Sequence, residues 1–366
     1  MATGNLLEVT DRGLYCEAGG FHVDPWRPVD RAIVTHAHGD HICRGCGAYL
    51  CSREGRDVLR MRIGPDAVIE TLEYGESVFP QGVRVSLHPA GHIRGSAQVR
   101  IEHLGEIWCV SGDYKLAADP TCTQFESVRC HTFITESTFG LPIYRWQPAE
   151  SVYQDVNRWW RANKEAGRTS VLFAYALGKA QRLIAGVDRG IGPIFCHGAV
   201  ESVNTAYRNA GVDLPPTALV STEPKRTDWS ESLIVAPPSA RGTTWMRRFG
   251  ELSTGFASGW MTVRGARRRR SIDRGFTLSD HADWPDLQQA IADTGASRVL
   301  VTHGSTAVMV RWLQEQGLDA AVLRTRYEGE LAEDTGETEP PESMASATTS
   351  AAESIPAPMD PEGDDE

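Results

Sequence analysis

Apolar residues in the first 143 positions fall into short runs that turn residues interrupt, as expected for β-strands. Four of these runs carry or end at polar side chains that can bind a metal: "IVTHAHGDH", "VRVSLHPAGH", "IWCVSGDYK" and "TFITESTFG". Groups at strand ends sit on loops that a rigid sheet holds in place. The pattern therefore predicts a β-rich unit with a functional site at its strand ends.

The pattern changes near residue 144. The segment "PAESVYQDVNRWWRANKEAG" has a helical period, with Pro148 near its start and Gly167 at its end. Strand–turn–helix units follow in "SVLFAYALGKAQRLIAGV" and "GPIFCHGAVESVNTAYRNAG", and a further strand is expected in "SLIVAPPSA". This alternation predicts an α/β module, which we assign to residues 144–272.

Two more segments with metal-binding side chains follow the module, "FTLSDHADWPDLQQAI" and "RVLVTHGS". The simplest arrangement is a single domain of class α/β that is interrupted by the inserted module. Its first part would comprise residues 1–143 and its completion residues 273–327.

The net charge of −11 resides in the C-terminal segment, residues 328–366. This segment has thirteen acidic residues and no Lys, Arg or aromatic residue, so the rest of the chain carries 35 acidic and 37 basic side chains. A segment of this composition cannot bury enough apolar surface to offset the entropy lost on ordering. We expect a disordered acidic tail, and the charge of the folded part has to be judged without it.

No apolar run reaches the roughly 20 residues of a membrane span, and the N-terminus has no apolar signal-peptide core. These features predict a soluble, cytoplasmic protein without a membrane partner. Cys16, Cys109 and Cys196 lie in apolar runs and are expected to be buried thiols. Cys43 and Cys46 have C-x-x-C spacing, but a structural zinc site normally needs four ligands and the sequence offers no clear full set.

The segment "HAHGDH" places His36, His38, Asp40 and His41 within six positions. Imidazole and carboxylate are ligands of zinc, and manganese or iron are alternatives. Four ligands this close together are awkward for one tetrahedral ion but suit two adjacent ions. We interpret the segment as part of a two-metal centre rather than as surface or core histidines.

A two-metal centre needs further ligands, and the chain offers them later. His92 lies between glycines in "PAGHIRGSA", and Asp113 and His303 each follow an apolar run. Asp113 could bridge two ions. Each of these residues would also suit a structural role if it stood alone, but in this order after a dense ligand cluster they predict a complete centre.

"HAHGDH", His92, Asp113, "TESTFG", His281 and His303 together resemble the motif set of the metallo-β-lactamase superfamily, specifically its β-CASP nucleases. "VLFAYALGKAQRL" resembles the segment that opens the β-CASP insertion. More narrowly, "LYCEAGGFHVDPWRPVDRAIVTHAHGDH" and "TGFASGWM" are similar to bacterial ligase-associated DNA exonucleases, also called mRNA 3′-end-processing-factor-like proteins. The resemblance covers about residues 6–327 and implies an αββα sandwich interrupted by a β-CASP α/β insertion.

Carried over residue by residue, the resemblance implies two metal sites that share Asp113 as a bridging ligand. One site would be formed by His36, His38 and His92, and the other by Asp40, His41 and His303. The metal ions would be zinc, with manganese as the alternative.

Three further positions match acid–base residues of the same family. Asp24 matches an acid that orients the metal-binding cluster without binding the metal itself. Glu136 matches the acid that pairs with a later histidine, and His281 matches that histidine, which would donate a proton to the leaving 3′-oxygen. The residues implied to act in catalysis are Asp40, Asp113, Glu136 and His281.

Basic side chains supply most non-specific affinity for a nucleic-acid backbone. The candidates for such contacts are Arg94, Lys179, Arg182, Arg267, Arg268, Arg269 and Arg270. Lys179 and Arg182 lie near a predicted helix start, where backbone N–H groups can also meet a phosphate. The arginines of "GARRRRSIDR" could equally form a solvated loop. Aromatic stacking on bases is a less favoured interpretation of Trp146, Trp159, Trp160 and Trp260.

The predicted function is two-metal-dependent hydrolysis of phosphodiester bonds, by a DNA exonuclease associated with DNA repair. The resemblance also implies functional association with a DNA ligase and a helicase. An RNA nuclease of the mRNA 3′-end-processing or ribonuclease J type is the alternative, because a histidine at position 303 is commoner among RNA-acting relatives. A small-molecule metallo-hydrolase would need neither the insertion nor His281, and the intact ligand set disfavours a binding protein with a dead site.

Overall fold

The computed structural model describes residues 5–263 and 272–326. The predicted acidic tail, residues 328–366, and the predicted phosphate contacts Arg267, Arg268, Arg269 and Arg270 lie outside the described residues. The strands, numbered in chain order, are β1 (Glu8–Val9), β2 (Leu14–Cys16), β3 (Phe21–Val23), β4 (Arg31–Ile33), β5 (Ala48–Ser52), β6 (Ile69–Leu72), β7 (Ser77–Val78), β8 (Arg84–Pro89), β9 (Ala97–His103), β10 (Glu106–Val110), β11 (Thr132–Glu136), β12 (Thr169–Phe173), β13 (Ile194–Cys196), β14 (Ala218–Leu219), β15 (Leu233–Ala236), β16 (Leu252–Ala257), β17 (Arg274–Phe276), β18 (Arg298–Thr302) and β19 (Asp319–Val322). The α-helices are α1 (Arg56–Ile63), α2 (Ala149–Glu165), α3 (Lys179–Gly186), α4 (Gly198–Asn209), α5 (Trp284–Thr294) and α6 (Thr306–Glu315).

Two sheets form the first unit, with strand orders β1–β2–β3–β4–β5–β6 and β19–β18–β11–β10–β9–β8–β7. In the second sheet β10, β11, β18 and β19 pair in parallel, and Ile134 lies opposite both Val110 and Leu300. The strands from β7 to β10 are antiparallel. Because β18 and β19 come from the end of the described chain, the segment after the insertion completes a sheet that begins before it.

The two sheets pack face to face. Phe21, Val23 and Ile33 of the first sheet share a buried cluster with Leu87 and Ile101 of the second. Helix α1 packs on the outer face of the first sheet, and helices α5 and α6 pack on the outer face of the second. The layers follow the order helix, sheet, sheet, helix, which confirms the predicted αββα sandwich.

The inserted unit is built on a third sheet whose strands are all parallel, in the order β14–β13–β15–β12–β16–β17. Helices α2 and α3 cover one face through Val156, Trp160 and Leu183. Since all strands run in one direction, their carboxyl ends lie along one edge, which is where open α/β sheets bind ligands. This edge lies towards the candidate site, because residues that follow β12 and β17 contact it.

The inserted sheet extends beyond residue 272, where the sequence pattern ends the module. Strand β17 pairs with β16, with Gly255 opposite Arg274 and Ala257 opposite Phe276. A three-residue strand of Arg, Gly and Phe carries no period that sequence alone could detect. The predicted helix after Pro148 is confirmed as α2, and its end before Gly167 agrees with the positive φ of 69° at that glycine.

Within the described ranges, none of the helices combines the length with the apolar character that crossing a bilayer requires.

Candidate metal centre

Loops at strand ends bring the predicted ligands together. His36, His38, Asp40 and His41 follow β4, and His92 follows β8. Asp113 follows β10 and His303 follows β18, on the same sheet edge. Residues two apart on a strand point to one side, but this does not account for His36 and His38, because β4 ends at Ile33. The loop itself directs both imidazoles to one point.

Three imidazole nitrogens converge in the first group of ligands. Nε2 of His36 lies 3.2 Å from Nδ1 of His38, and Nε2 of His92 lies 3.0 Å from the same atom. Oδ2 of Asp113 completes the group, at 3.5 Å from Nε2 of His36 and 3.9 Å from Nε2 of His92. Donor atoms that face one another this closely are arranged for a shared cation.

In each imidazole, the nitrogen that faces away from the other ligands lies at hydrogen-bond distance from an oxygen. His92 Nδ1–H donates to the carbonyl of Asp280 (2.9 Å), and His38 Nε2–H donates to the carbonyl of Leu177 (3.2 Å). Because a carbonyl can only accept, these bonds fix the tautomers and leave the inward nitrogens with a lone pair. Nδ1 of His36 lies 3.1 Å from the hydroxyl of Thr35, which leaves its Nε2 directed inward.

Burial favours the neutral form of these three imidazoles. Burial and the neighbouring His41 hold the pKa of His36 well below its usual value. Burial likewise lowers the pKa of His38, and burial together with nearby His281 lowers that of His92 strongly. A neutral imidazole is the form that binds a metal.

The second group consists of Asp40, His41 and His303, with ligand atoms that also lie within 4.8 Å of one another. Nε2 of His41 is 3.6 Å from Oδ2 of Asp40 and 3.5 Å from Oδ2 of Asp113. Nδ1 of His303 is 3.6 Å from the other oxygen of Asp113, Oδ1. The carboxylate of Asp113 therefore lies between the two groups, in the position predicted for a bridging ligand.

The charges in the second group depend on one another. Burial would lower the pKa of His41, but Asp40 and Asp113 outweigh it, so this pKa lies well above its usual value. Burial would raise the pKa of Asp113, but His41 and His303 hold it well below its usual range. The carboxylates of Asp40 and Asp113 thus favour a positive charge at this position, which a bound cation would supply.

Three buried polar atoms of the predicted ligands have no hydrogen-bond partner among the described residues: Nε2 of His41, Oδ1 of Asp113 and Nδ1 of His303. A buried polar atom without a partner costs about 1–3 kcal/mol, so three of them at one point call for an occupant. Imidazole and carboxylate donors fit zinc and comparable divalent ions. The residues present therefore fit a metal centre.

Asp24 holds the loop that carries the ligands. Its carboxylate accepts from the backbone N–H and the hydroxyl of Thr35 (2.8 and 2.6 Å) and from Nδ1–H of His41 (2.8 Å). This contact leaves Nε2 of His41 directed at the centre. Asp24 and His303 both have positive φ, 44° and 56°, a strained conformation that persists at functional sites when surrounding contacts enforce it.

His281 and Glu136 also lie at the centre. Nδ1 of His281 is 2.9 Å from Oε2 of Glu136, whose Oε1 accepts from the backbone N–H of Tyr114 (2.8 Å). The imidazole of His281 is 4.5 Å from that of His92, measured between ring centroids. The predicted acid–base pair is thus adjacent to the first ligand group.

The three described basic residues that the sequence suggested for substrate contacts are engaged within the protein. Arg94 pairs with Glu54 (3.3 Å), and its guanidinium donates to the carbonyl of Ala210 (3.1 Å). The side chains of Lys179 and Arg182 are almost completely buried and pair with Asp280 and Asp119 respectively. Their positions favour joining the two units over touching a nucleic acid. Arg267, Arg268, Arg269 and Arg270 lie outside the described residues.

Other sequence candidates have structural positions. Trp160 is fully buried and packs in the core of the inserted unit. Trp146 and Trp260 are partly exposed and contact Phe139 next to His281. Cys16, Cys109 and Cys196 are buried free thiols, as predicted. Among the residues that the structure describes, no possible metal-binding group contains a cysteine.

Sequence reasoning missed two contributors to the centre, the carbonyl oxygens of Leu177 and Asp280. Every residue type has a carbonyl, so Leu177 gives no sequence signal. The carboxylate of Asp280 does give one, because it immediately precedes His281 in "LSDHADW" and forms a possible metal-binding group with His92 and His281.

No protein-family model matches the chain. A protein of Opitutus terrae named Probable DNA ligase is 31% identical over 311 residues, which cover 84% of this chain and 30% of that protein. Endoribonuclease YSH1 of Eremothecium gossypii is 27% identical over 122 residues, 33% of this chain and 16% of the relative. Transcription termination factor FttA of Thermococcus kodakarensis is 29% identical over 155 residues, 37% of this chain and 23% of the relative.

The chain thus spans less than a third of the length of each of these relatives. A crystal structure of a protein of unknown function from Enterococcus faecalis has a similar fold, with a TM-score of 0.54 over 81% of this chain and 79% of that one. At 12% sequence identity this likeness concerns the fold alone.

Proposed function

Because the chain belongs to the β-CASP group of the metallo-β-lactamase superfamily, we propose that it is a metal-dependent nuclease, and more narrowly a DNA exonuclease that acts in DNA repair. The observation that carries the proposal is the convergence of seven His and Asp ligands with the imidazole of His281 beside them. Function has to be argued from a site rather than from a fold, and this site has the groups that phosphodiester hydrolysis uses.

We assign one divalent ion to His36, His38 and His92 and a second to Asp40, His41 and His303, with Asp113 shared between them. Zinc is the proposed ion and manganese the alternative, since the donors are imidazole and carboxylate. When bound, a pair of divalent ions supplies an activated water molecule and neutralises charge on a phosphate. The chain contributes neutral imidazoles at the first site, and hydrogen bonds to their outward nitrogens fix the tautomers of His38 and His92.

His281 is the proposed proton donor to the leaving 3′-oxygen. Its Nδ1–H donates to the carboxylate of Glu136, so the proton to be transferred is the one on Nε2. A buried carboxylate at hydrogen-bond distance stabilises the imidazolium form. Glu136 itself accepts from the backbone N–H of Tyr114, which fixes the carboxylate in place. A positioned acid of this kind contributes roughly 10²–10⁴-fold to rate.

The choice of DNA is supported by the relative of Opitutus terrae, whose printed name is Probable DNA ligase and whose similarity extends over 84% of this chain. A nuclease-like region within such a protein fits a reaction in which DNA ends are trimmed before a ligase seals them. We therefore propose a DNA ligase as a functional partner. A helicase is the second proposed partner, and it rests on the family resemblance alone.

RNA hydrolysis is the second candidate. It is supported by similarity to Endoribonuclease YSH1 over 33% of the chain and by a histidine rather than another residue at position 303. The two candidates share the metal centre and the proton donor, so they differ only in the polymer that the site accepts.

The test compares the three polymers directly. Chelator-stripped protein with zinc or manganese added back is incubated with matched single-stranded DNA, duplex DNA and RNA, each labelled at either end. Asp40→Ala/His41→Ala is the control for contaminating nucleases. Stepwise loss of nucleotides from DNA supports the proposed exonuclease, and preferential cleavage of RNA moves the protein to the processing class. Inactivity on all three would contradict the proposal and favour a small-molecule hydrolase.

A further inference from the structure

Lys179 is the first residue of helix α3 in the inserted unit, and its side chain is completely buried. Its Nζ lies 3.2 Å from Oδ1 of Asp280, whose side chain is only 2% exposed. Nζ also lies 4.4 Å from the ring centroid of Tyr175. A charge this deeply buried is tolerated only when it is paired, so Lys179 and Asp280 hold α3 and the segment after β17 in one relative position.

Each residue of this ion pair lies at or close to a backbone carbonyl that orients a metal ligand. The carbonyl of Asp280 itself accepts from His92 Nδ1–H, and the carbonyl of Leu177, two positions before Lys179, accepts from His38 Nε2–H. The pair therefore joins the two backbone segments that orient two of the three imidazoles in the first ligand group.

The backbone between these contacts is closely packed. Gly178 has a φ of +87°, a conformation that L side chains rarely adopt. A Cβ built at this position would overlap the side chain of Ile93 and approach Oδ2 of Asp280 to 3.4 Å. Ile93 directly follows the ligand His92. The start of α3 thus leaves little space in which the ligand loop could shift.

We propose that the Lys179–Asp280 ion pair positions His38 and His92, so that the inserted unit is a structural part of the first metal site and sets its affinity. This inference rests on the metal centre of the proposed function. Lys179 and Asp280 are positioning residues, because they act through the Leu177 and Asp280 carbonyls and not on the substrate. The second site, formed by Asp40, His41 and His303, is oriented instead by Asp24 and lies outside this influence.

The test measures metal binding in the full chain without any nucleic acid. Zinc affinity is determined by chelator competition, and cobalt(II) absorption reports the ligand geometry of each site. Lys179→Met keeps most of the length of the side chain and removes its charge, and we expect one of the two metal equivalents to bind about 10–100-fold more weakly. Lys179→Arg keeps the charge and is expected to restore most of the affinity.

Lys164 provides a matched control, because it also pairs with a carboxylate, Glu231, at 3.1 Å, but with both side chains partly exposed. Lys164→Met should leave both equivalents unchanged. Asp280→Asn should weaken the same equivalent as Lys179→Met. The double variant Lys179→Met/Asp280→Asn should be no weaker than either single variant, since both changes remove one constraint.

A second readout does not depend on bound metal. Nitrogen-15 NMR of labelled histidines in the metal-free chain reports the Nδ1–H proton of His92 and the Nε2–H proton of His38. We expect both protons to be protected from exchange in the wild type and in Lys164→Met, and to exchange faster in Lys179→Met.

Unchanged metal affinity and unchanged proton exchange in a folded Lys179→Met variant would overturn the inference. Equal weakening of both equivalents, together with a lower melting temperature, would also overturn it, because that result indicates general destabilisation. If the wild type binds two ions but cleaves no nucleic acid, the proposed function fails while this inference stands. If the wild type binds no metal, the proposed function fails and so does this inference, because no metal affinity then exists for the ion pair to set.

Discussion

Nδ1 of His281 lies 2.9 Å from Oε2 of Glu136, and the two side chains are only 3% and 1% exposed. The two residues are 145 positions apart in the sequence and meet where β11 ends beside the segment that follows β17. With Nδ1 committed to this contact, the orientation of the ring is fixed next to His92. Because Nδ1 is engaged with Glu136, the contact favours an acid–base role for His281 over a metal-binding role. The two roles predict different consequences of mutation.

Replacement of this imidazole should affect proton transfer and not metal content. We expect His281→Ala to slow cleavage by about 10²–10⁴-fold while two metal equivalents are retained. Single-turnover cleavage and metal analysis of the same preparation measure both quantities. Glu136→Gln, which keeps the shape of the side chain, should slow cleavage less. Loss of one metal equivalent in His281→Ala would instead identify this residue as a ligand, consistent with the possible group formed by His92, Asp280 and His281.

His303 should be required for the second metal site. We expect His303→Ala to lose one metal equivalent and to reduce cleavage below detection, with little change in the circular dichroism spectrum. The physical reason is that this residue lies on a loop after β18, where Nδ1 of its imidazole is 3.6 Å from Oδ1 of Asp113. Its neighbour Thr302 provides a control, and Thr302→Ala should retain both equivalents. Full activity of His303→Ala on DNA and RNA would exclude the second site.

Asp24 should act on the metal through His41. Asp24→Asn is the informative change, because asparagine tolerates the positive φ at this position but removes the carboxylate that accepts from His41 and Thr35. We expect metal affinity to fall about 10–100-fold, mainly at the second site. Asp11→Asn, at an exposed carboxylate that pairs with Arg27, is the control. Unaltered affinity in Asp24→Asn would show that the ligand loop holds its geometry without this acid.

The arginine run remains a sequence prediction, since Arg267, Arg268, Arg269 and Arg270 lie outside the described residues. If each contacts one phosphate, replacing all four with Gln should reduce the salt dependence of duplex binding by about 3–4 in the slope of log K against log salt. Binding of an end-labelled duplex by a metal-free chain, measured at several salt concentrations, gives this slope. Arg311→Gln, at an exposed arginine on α6, should leave the slope unchanged, and an unchanged slope in the quadruple variant would assign the run to a solvated loop.

The sequence was sufficient to predict which side chains would lie together at the centre. Six residues from His36 to His41 contain four ligands, and His92, Asp113 and His303 each follow a short strand that apolar periodicity reveals. Asp113 and His303 follow strands of one sheet, and the packing of the two sheets brings the loop after β4 to the same place. The inserted α/β unit follows from the same kind of pattern, apart from β17, which is too short to carry one, whereas the αββα layering was implied by the family resemblance.

Tertiary structure alone decided what holds those ligands. A basic residue at a helix start has the same sequence signature whether it faces a phosphate or a buried carboxylate, and only packing places Lys179 against Asp280 and Arg182 against Asp119. The carbonyls of Leu177 and Asp280 orient His38 and His92, yet a carbonyl belongs to every residue and distinguishes none. Sequence specifies side-chain chemistry, whereas the partner of a buried charge or a backbone oxygen depends on which distant segments the fold brings into contact.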